Sequence, residues 1–267
     1  MVKSVFSKLR YLSLLGGLLG GLIILLAACQ TPTPAPVSAE YPEAVVVQHT
    51  PALRIAVPVL QACAVEAPDL ALFLEEAPRT AIDLTSEVEG LTRIGLVLGE
   101  PAADEFAVAL GVAQIVVIAH PSNPVQNLSA DELQNLFSGE VQNWSQIGGT
   151  DQAVTPWVLT PADESRQLFD KTILGKKNLA SQARLAADPG WMLAEVSADP
   201  GAIGFLPAAW LDENVRPVDL QAALADELRL PLLALAVTQP QDQARNLMIC
   251  LQNGTGQQIL KELFPLP

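Results

Sequence analysis

The sequence predicts an α/β fold. Short apolar, β-rich runs recur along the chain, and stretches with helical start and stop signals lie between them. No self-similarity with a period of about 20 to 50 residues suggests a solenoid or a propeller. The expected strands are 44–48, 70–74, 93–98, 106–119, 155–159, 202–206 and 232–238.

The segments between these strands carry helix signals. Ser129, with Glu132 three residues on, has the spacing of a capping box, and Leu128 ahead of it is positioned to staple against Leu133. That helix is expected to run to Phe137 and stop at Ser138-Gly139, where glycine accepts the left-handed cap. Thr50-Pro51 and Thr160-Pro161 each follow an expected strand and are expected to open a helix, with Thr as N-cap and Pro in the first position. A turn from strand to helix aims backbone N–H groups at whatever sits above it, which makes each a candidate anion site.

At the N-terminus, Lys3, Lys8 and Arg10 precede an apolar run that ends at Ala28, the charged-then-apolar order of an export signal. The sequence Leu26-Ala27-Ala28-Cys29 resembles the lipobox of bacterial lipoproteins, which implies that residues 1–28 are removed and Cys29 carries the acyl chains. The competing reading is a membrane-anchoring helix with a coincidental cysteine, since about 18 to 20 apolar residues can just span a bilayer. Residues 29–42 are proline-rich, which denies the chain both helix and strand and favours an extended tether. The expected location is therefore the cell envelope, with the folded body outside the cytoplasm and membrane contact through the lipid only.

Removing the three cations of the signal from a formal charge of −14 leaves the remaining chain near −17. Nucleic acid needs clustered Lys and Arg and is excluded as a partner. Of the three cysteines, Cys63 and Cys250 remain as an even pair, equally compatible with a disulfide and with two buried thiols. HExxH, GxSxG, P-loop and CxxC motifs are absent, and His49 and His120 stand far apart in sequence, so no enzyme is expected. Neither a cofactor nor a metal site is announced by the spacing of potential ligands.

Residues 115–144 contain an apolar strand, an Asn123-Pro124 turn, a helix ending in Phe137-Ser138-Gly139, then Asn143-Trp144 and, just beyond, Gly148-Gly149. Gly201-Ala-Ile-Gly-Phe-Leu206, the apolar run 231–238 and the helical stretch 256–260 follow in order. This succession resembles the phosphate-binding family of periplasmic solute receptors that feed ABC importers. The resemblance implies a two-lobed type 2 periplasmic-binding-protein fold, a mixed sheet flanked by helices in each lobe, with the ligand in the cleft between them. Residues 43–118 plus 230–267 would form lobe one and 119–229 lobe two, joined by two crossovers that act as a hinge. It further implies a small solute, an oxyanion among the candidates, an ABC permease as partner, and a monomer. Trp144, Trp157, Trp191 and Trp210 all fall in the second lobe, so their fluorescence would report closure.

The chain departs from the family where the anion is gripped. A Ser-Gly-Thr-Arg sequence in the family corresponds here to Asp163, Glu164, Ser165 and Arg166, counted back from Phe169. Two carboxylates in that position oppose an anion, and Asp163 can satisfy the helix donors itself. The candidate ligand-binding residues are therefore Thr50, Glu100, Thr160, Ser165, Arg166 and His49. Glu100 is either a solvated turn carboxylate or a group that accepts a ligand proton or an ammonium. Arg166 either meets the ligand or pairs with Asp163 or Asp170, the latter at helical spacing. His49 is read as structural ahead of ligand contact, and His120 as structural. The alternative function is a degenerate binding fold that serves as a sensor or envelope interaction protein and takes no phosphate.

Overall fold

A computed structural model gives the fold and describes residues 43–85, 88 and 90–265. The expected signal peptide, Cys29 and the tether lie outside the described residues. The strands are β1 (Glu43–His49), β2 (Leu70–Glu76), β3 (Leu91–Leu98), β4 (Phe106–Ala119), β5 (Asn127–Leu128), β6 (Thr155–Val158), β7 (Arg184–Leu185), β8 (Ala202–Pro207), β9 (Arg216–Leu220) and β10 (Arg229–Ala236). The α-helices are α1 (Val57–Val65), α2 (Ala130–Ser138), α3 (Glu164–Phe169), α4 (Pro189–Ala198), α5 (Ala222–Glu227), α6 (Asp242–Asn253) and α7 (Thr255–Leu263).

Among the described residues, hydrogen-bonded strands follow the order β2-β1-β3-β10-β4-β8-β6-β7, with β9 paired to β4 and β5. The strands β1, β2 and β3 are parallel, whereas β10 is antiparallel to both of its neighbours. Val45, Val46 and Val47 in β1 are all buried, the continuous apolar run that a strand covered on both faces requires. β4 is the shared element. Its first stretch, Phe106 to Gln114, pairs with β10, while Ile115 to Ala119 pairs with β8 and β9. The hydrophobic interior divides at the same place. One core gathers β1, β3, β10, α1, α6 and α7 around Leu53, Leu60, Leu232 and Leu247. A second gathers residues from Ile115 to Leu228 around Phe137, Phe169, Phe205 and Trp144. Within the second core the Trp144 indole N–H donates to the Gly201 carbonyl at 3.0 Å. A Cβ at Gly201 would collide with the carbonyl of Ala153, so only glycine fits there.

The helix signals meet two outcomes. α2 forms as expected: the Ser129 side chain accepts from the Glu132 N–H, the Glu132 carboxylate accepts from the Ser129 N–H, and Gly139 takes the left-handed conformation at φ 81°. Thr50-Pro51 opens a 3-10 helix, Pro51–Ala56, that leads into α1, but the Thr50 hydroxyl makes no cap bond. Thr160-Pro161 does not open a helix. The Asp163 N–H closes a tight turn onto the Thr160 carbonyl at 3.0 Å, and Asp163 becomes the N-cap of α3. A β-turn with proline in its second position competes with a helix start for the same signal, and the nearby carboxylate is the stronger cap. α3 continues through a π turn, Asp170–Leu174.

The strand expectations need correction at β10, which begins at Arg229 and ends at Ala236 rather than spanning 232–238. The short strands β5, β7 and β9 carried no periodic signal, two of them being only two residues long. Cys63 and Cys250 are joined in a disulfide with Cα atoms 5.8 Å apart, which decides between the two open alternatives. None of the helices among the described residues is long and apolar enough to cross a membrane, and no group of His, Cys, Asp or Glu among them could hold a metal ion.

Candidate functional site

The C-terminal ends of β1 and β3 lie side by side, since the Thr50 N–H donates to the Leu96 carbonyl at 3.3 Å and Leu98 closes β3. Opposite them stands the first turn of α3. Asp163 sets this turn, its carboxylate accepting from the N–H groups of Ser165 at 2.8 Å and Arg166 at 3.2 Å. Two of the donors that a bound anion would use are thereby taken by the chain itself. Burial pushes the Asp163 carboxyl above the usual carboxylate range, and those two N–H groups and the Ser165 hydroxyl offset only part of that.

Glu164 is 7% exposed, and burial raises its carboxyl to about 7. The negative charge of Asp163 adds to the rise, while its own backbone N–H, the Leu98 N–H and the Arg79 charge oppose it. Such a carboxyl binds its proton more tightly in the folded chain than in the unfolded one. Stability contributed by the protonated group is therefore full below about 4.5 and declines as pH rises to about 7. Glu164→Gln is expected to remove this decline. The variant should be more stable than the parent at pH 8, by on the order of 1 to 3 kcal/mol, and the two should converge near pH 4.5. Urea unfolding across that pH range checks the expectation, and parallel stability curves for the two proteins would refute it.

Arg166 is engaged within the chain. Its Nε donates to Asp170 at 2.6 Å and its Nη1 to the Leu159 carbonyl at 3.0 Å, with 8% of the residue exposed. Of the two ion-pair partners expected for it, Asp170 is the one it meets. Ser165 and Thr50 are fully buried, and the Thr50 hydroxyl has no hydrogen-bond partner; Glu164 Oε1 is also buried without one. Unpaired buried polar atoms of this kind call for a physical explanation, and a binding site is one. His49 is buried at the end of β1, its Nδ1 3.1 Å from the Thr50 carbonyl. Thr160 is half-buried, and its carbonyl holds the turn before α3. Near the end of β4, His120 Nδ1 lies 2.7 Å from the Ser122 hydroxyl.

Beside α3 a cleft of about 260 Å³ opens between Glu100 and Arg79 on one side and Glu164, Gln167 and Lys171 on the other. Of the six candidate residues only Glu100 lines this cleft; His49, Thr50, Ser165 and Arg166 are buried away from its wall. Glu100 itself is exposed, and its carbonyl accepts from Arg79 Nη2 at 3.2 Å. Arg79 and Lys171 were not singled out by the sequence. Arg79 follows Pro78 at the start of a single 3-10 turn, Arg79–Ala81, and Lys171 sits in the π turn, so no periodicity marks either.

Two contacts bridge the two cores near the end of β1. The Trp210 indole N–H donates to the Ala52 carbonyl at 2.8 Å. Arg54 forms a fork on Glu76, with bonds of 2.6 and 2.7 Å, and reaches Asp188 at 3.4 Å. The hydrogen bond from Arg54 holds the Glu76 carboxyl below its usual range.

Comparison with known proteins sets this geometry in a family. The model of the PBP superfamily domain matches residues 83–256. The phosphate-binding protein PstS of Bacillus subtilis is 30% identical over 159 residues, which cover 53% of this chain and 52% of that protein. The chain thus spans about half the length of this curated relative. Among solved structures, a putative phosphate ABC transporter substrate-binding protein from Clostridium perfringens, with bound phosphate, superposes with a TM-score of 0.70 at 17% identity, over 84% of this chain and all of that one. An ABC-type phosphate transport receptor from Vibrio cholerae gives 0.64, also at 17% identity and over the same shares. The mixed α/β architecture is the type 2 periplasmic-binding fold of these receptors. With its family model matched from 83 to 256, the chain belongs to the PBP superfamily.

Proposed function

We propose that this chain is the extracytoplasmic solute-binding receptor of an ABC importer, held to the membrane through a lipid on Cys29, with an anion site altered from that of phosphate receptors. The observation that carries the reading is the meeting of β1 and β3 ends with the first turn of α3, where the Thr50 hydroxyl and Glu164 Oε1 are buried without partners. The names of the relatives, phosphate-binding and transport receptors, support a role in binding rather than catalysis. A disulfide supports an oxidising compartment. In this reading residues 43–118 plus 230–267 and residues 119–229 are lobes that close on a small solute as a monomer, and closure favours whichever ligand makes differential contacts.

The altered anion site rests on charge and on donor supply. Each carboxylate of Asp163 and Glu164, if ionised roughly 5 Å from a bound phosphate, opposes it by about 3 kcal/mol per unit charge at an effective dielectric of about 20. Asp163 also occupies N–H groups of α3, and Arg166 is held by Asp170 and Leu159. Replacing Asp163 by Ser and Glu164 by Gly is therefore expected to create or tighten phosphate binding by at least about tenfold. Calorimetric titration of parent and variant checks this, and an unchanged affinity would mean that the carboxylates are not what weakens the site.

A second reading, a degenerate binding fold acting as a sensor or envelope interaction protein, is favoured by the same engagement of Asp163 and Arg166 within the chain. A receptor should show a higher melting temperature and altered tryptophan emission with some polar solute. Silence across phosphate, sulfate, molybdate, tungstate, amino acids and sugars would favour the second reading.

A further inference from the structure

Resting on the receptor reading, we infer that the cleft beside α3 takes a zwitterionic solute, its cationic end directed to Glu164 and Glu100 and its acidic end to Arg79 and Lys171. The argument begins with the wall of the cleft. Two carboxylates and two cations line one space of about 260 Å³, in a chain whose formal charge is −14. Arg79, which also stands 3.8 Å from Glu105, and Lys171 bring cations to a wall that carries carboxylates. A bare anion would meet Glu100 and Glu164 as well as the cations, and a bare cation would meet Arg79 and Lys171. A solute with both charges meets a complementary group at each end.

The buried polar atoms point the same way. Glu164 Oε1 has no donor and Arg79 Nη1 has no acceptor, although both residues line the same cleft. The two side chains therefore do not hydrogen-bond to each other through these atoms. A ligand amine or ammonium supplies the donor that Glu164 Oε1 lacks, and a ligand acid oxygen supplies the acceptor that Arg79 Nη1 lacks, beside the Glu100 carbonyl and Glu105 that Nη2 already meets. Both atoms are sealed from solvent, so the solute reaches them when the cleft opens, as a hinged receptor allows. The usual grip for a phosphate is not available as a rival, because Asp163 caps α3 and Arg166 is paired with Asp170.

The experiment has three arms on the purified chain: free L-amino acids and 2-aminoethylphosphonate as zwitterions, inorganic phosphate and sulfate as anions, and putrescine as a cation. Melting temperature and tryptophan emission are read for each, and calorimetry gives affinities. At least one zwitterion should raise the melting temperature while the single-charge arms stay silent. Glu164→Gln, which keeps the side-chain shape, and Lys171→Ala, at an exposed position, should each weaken that zwitterion by about tenfold or more. Binding of phosphate or sulfate alone, or of putrescine alone, overturns the inference and leaves the receptor reading intact. Zwitterion binding that neither variant weakens also overturns it, since the solute would then sit elsewhere. No response in any arm overturns this inference, and silence that extends to molybdate, tungstate and sugars overturns the receptor reading with it.

Discussion

Phe169→Ala is expected to lower the stability of the chain by about 3 to 5 kcal/mol, the range for deleting a fully buried aromatic ring whose surroundings cannot collapse. The ring is stacked on Phe205 with centroids 3.9 Å apart and planes 2° from parallel, and it meets Phe137 edge-on at 4.7 Å. All three side chains are completely buried in the second core. Removing this ring leaves Phe137, on helix α2, and Phe205, on strand β8, with only their tilted contact at 5.9 Å, and neither element is free to move inward because each is fixed by its own hydrogen bonds. Phe169 also ends α3, so its loss loosens the helix whose first turn carries Asp163, Glu164 and Ser165. Phe169→Leu, which keeps much of the volume, should cost roughly 1 to 2 kcal/mol. Urea unfolding monitored by tryptophan emission separates the outcomes, and a loss below about 1 kcal/mol for the alanine variant would mean that the triplet does not anchor α3.

The elements legible in the sequence are those whose signals are local. β1, β3 and β4 are long apolar runs, and the α2 capping box is spelled by two residues three apart, so neither depends on what the chain meets elsewhere. β10 was misjudged at both ends for the opposite reason. The apolar run alone begins after Arg229, yet the antiparallel neighbour β4 draws the strand back to Arg229, with a register shift between Leu232 and Leu233. β5, β7 and β9 exist through pairing with β4, β6 and one another, which is tertiary information.

At the site, the resemblance sets Asp163 and Glu164 against a motif of small residues, which is why these two positions could be given a meaning from the sequence. Their consequence for α3 was legible in part. Asp163 does satisfy the first donors of the helix, but as the N-cap rather than as a partner to Thr160. Which ionisable groups meet across the cleft was beyond reach, because Arg79 and Glu164 are brought near one another by the pairing of β1, β2 and β3 and by the docking of α3 against the end of β3. Likewise, the reach of Trp210 to Ala52 and of Arg54 to Asp188 depends on how the two cores approach, which no spacing encodes.

Loss of the Cys63–Cys250 bond, by the double substitution to Ala or by reduction, is expected to lower stability by about 2 to 5 kcal/mol. The bond links α1 to α6, two helices of the first core that are 187 residues apart in sequence, with the whole second core inserted between them. In the unfolded chain it closes a very long loop, and the loop-closure entropy that it removes grows with the logarithm of that length. Its site is also tightly filled. A Cβ at Gly256 would lie 2.5 Å from Cys63 Sγ, so the end of the first core is built around the bond. Because Trp144 and Trp157 lie in the second core and Trp210 packs on it, with Trp191 exposed on α4, tryptophan emission follows that core, while far-UV dichroism follows both. If the cores unfold as one unit, reduction shifts both transitions together. If they unfold separately, reduction moves the dichroism transition to lower denaturant and leaves the emission transition in place. A shift of neither would mean that contacts of α7 and Phe264 close the first core without the cross-link, and that the loop is already short-circuited by residual structure in the unfolded chain.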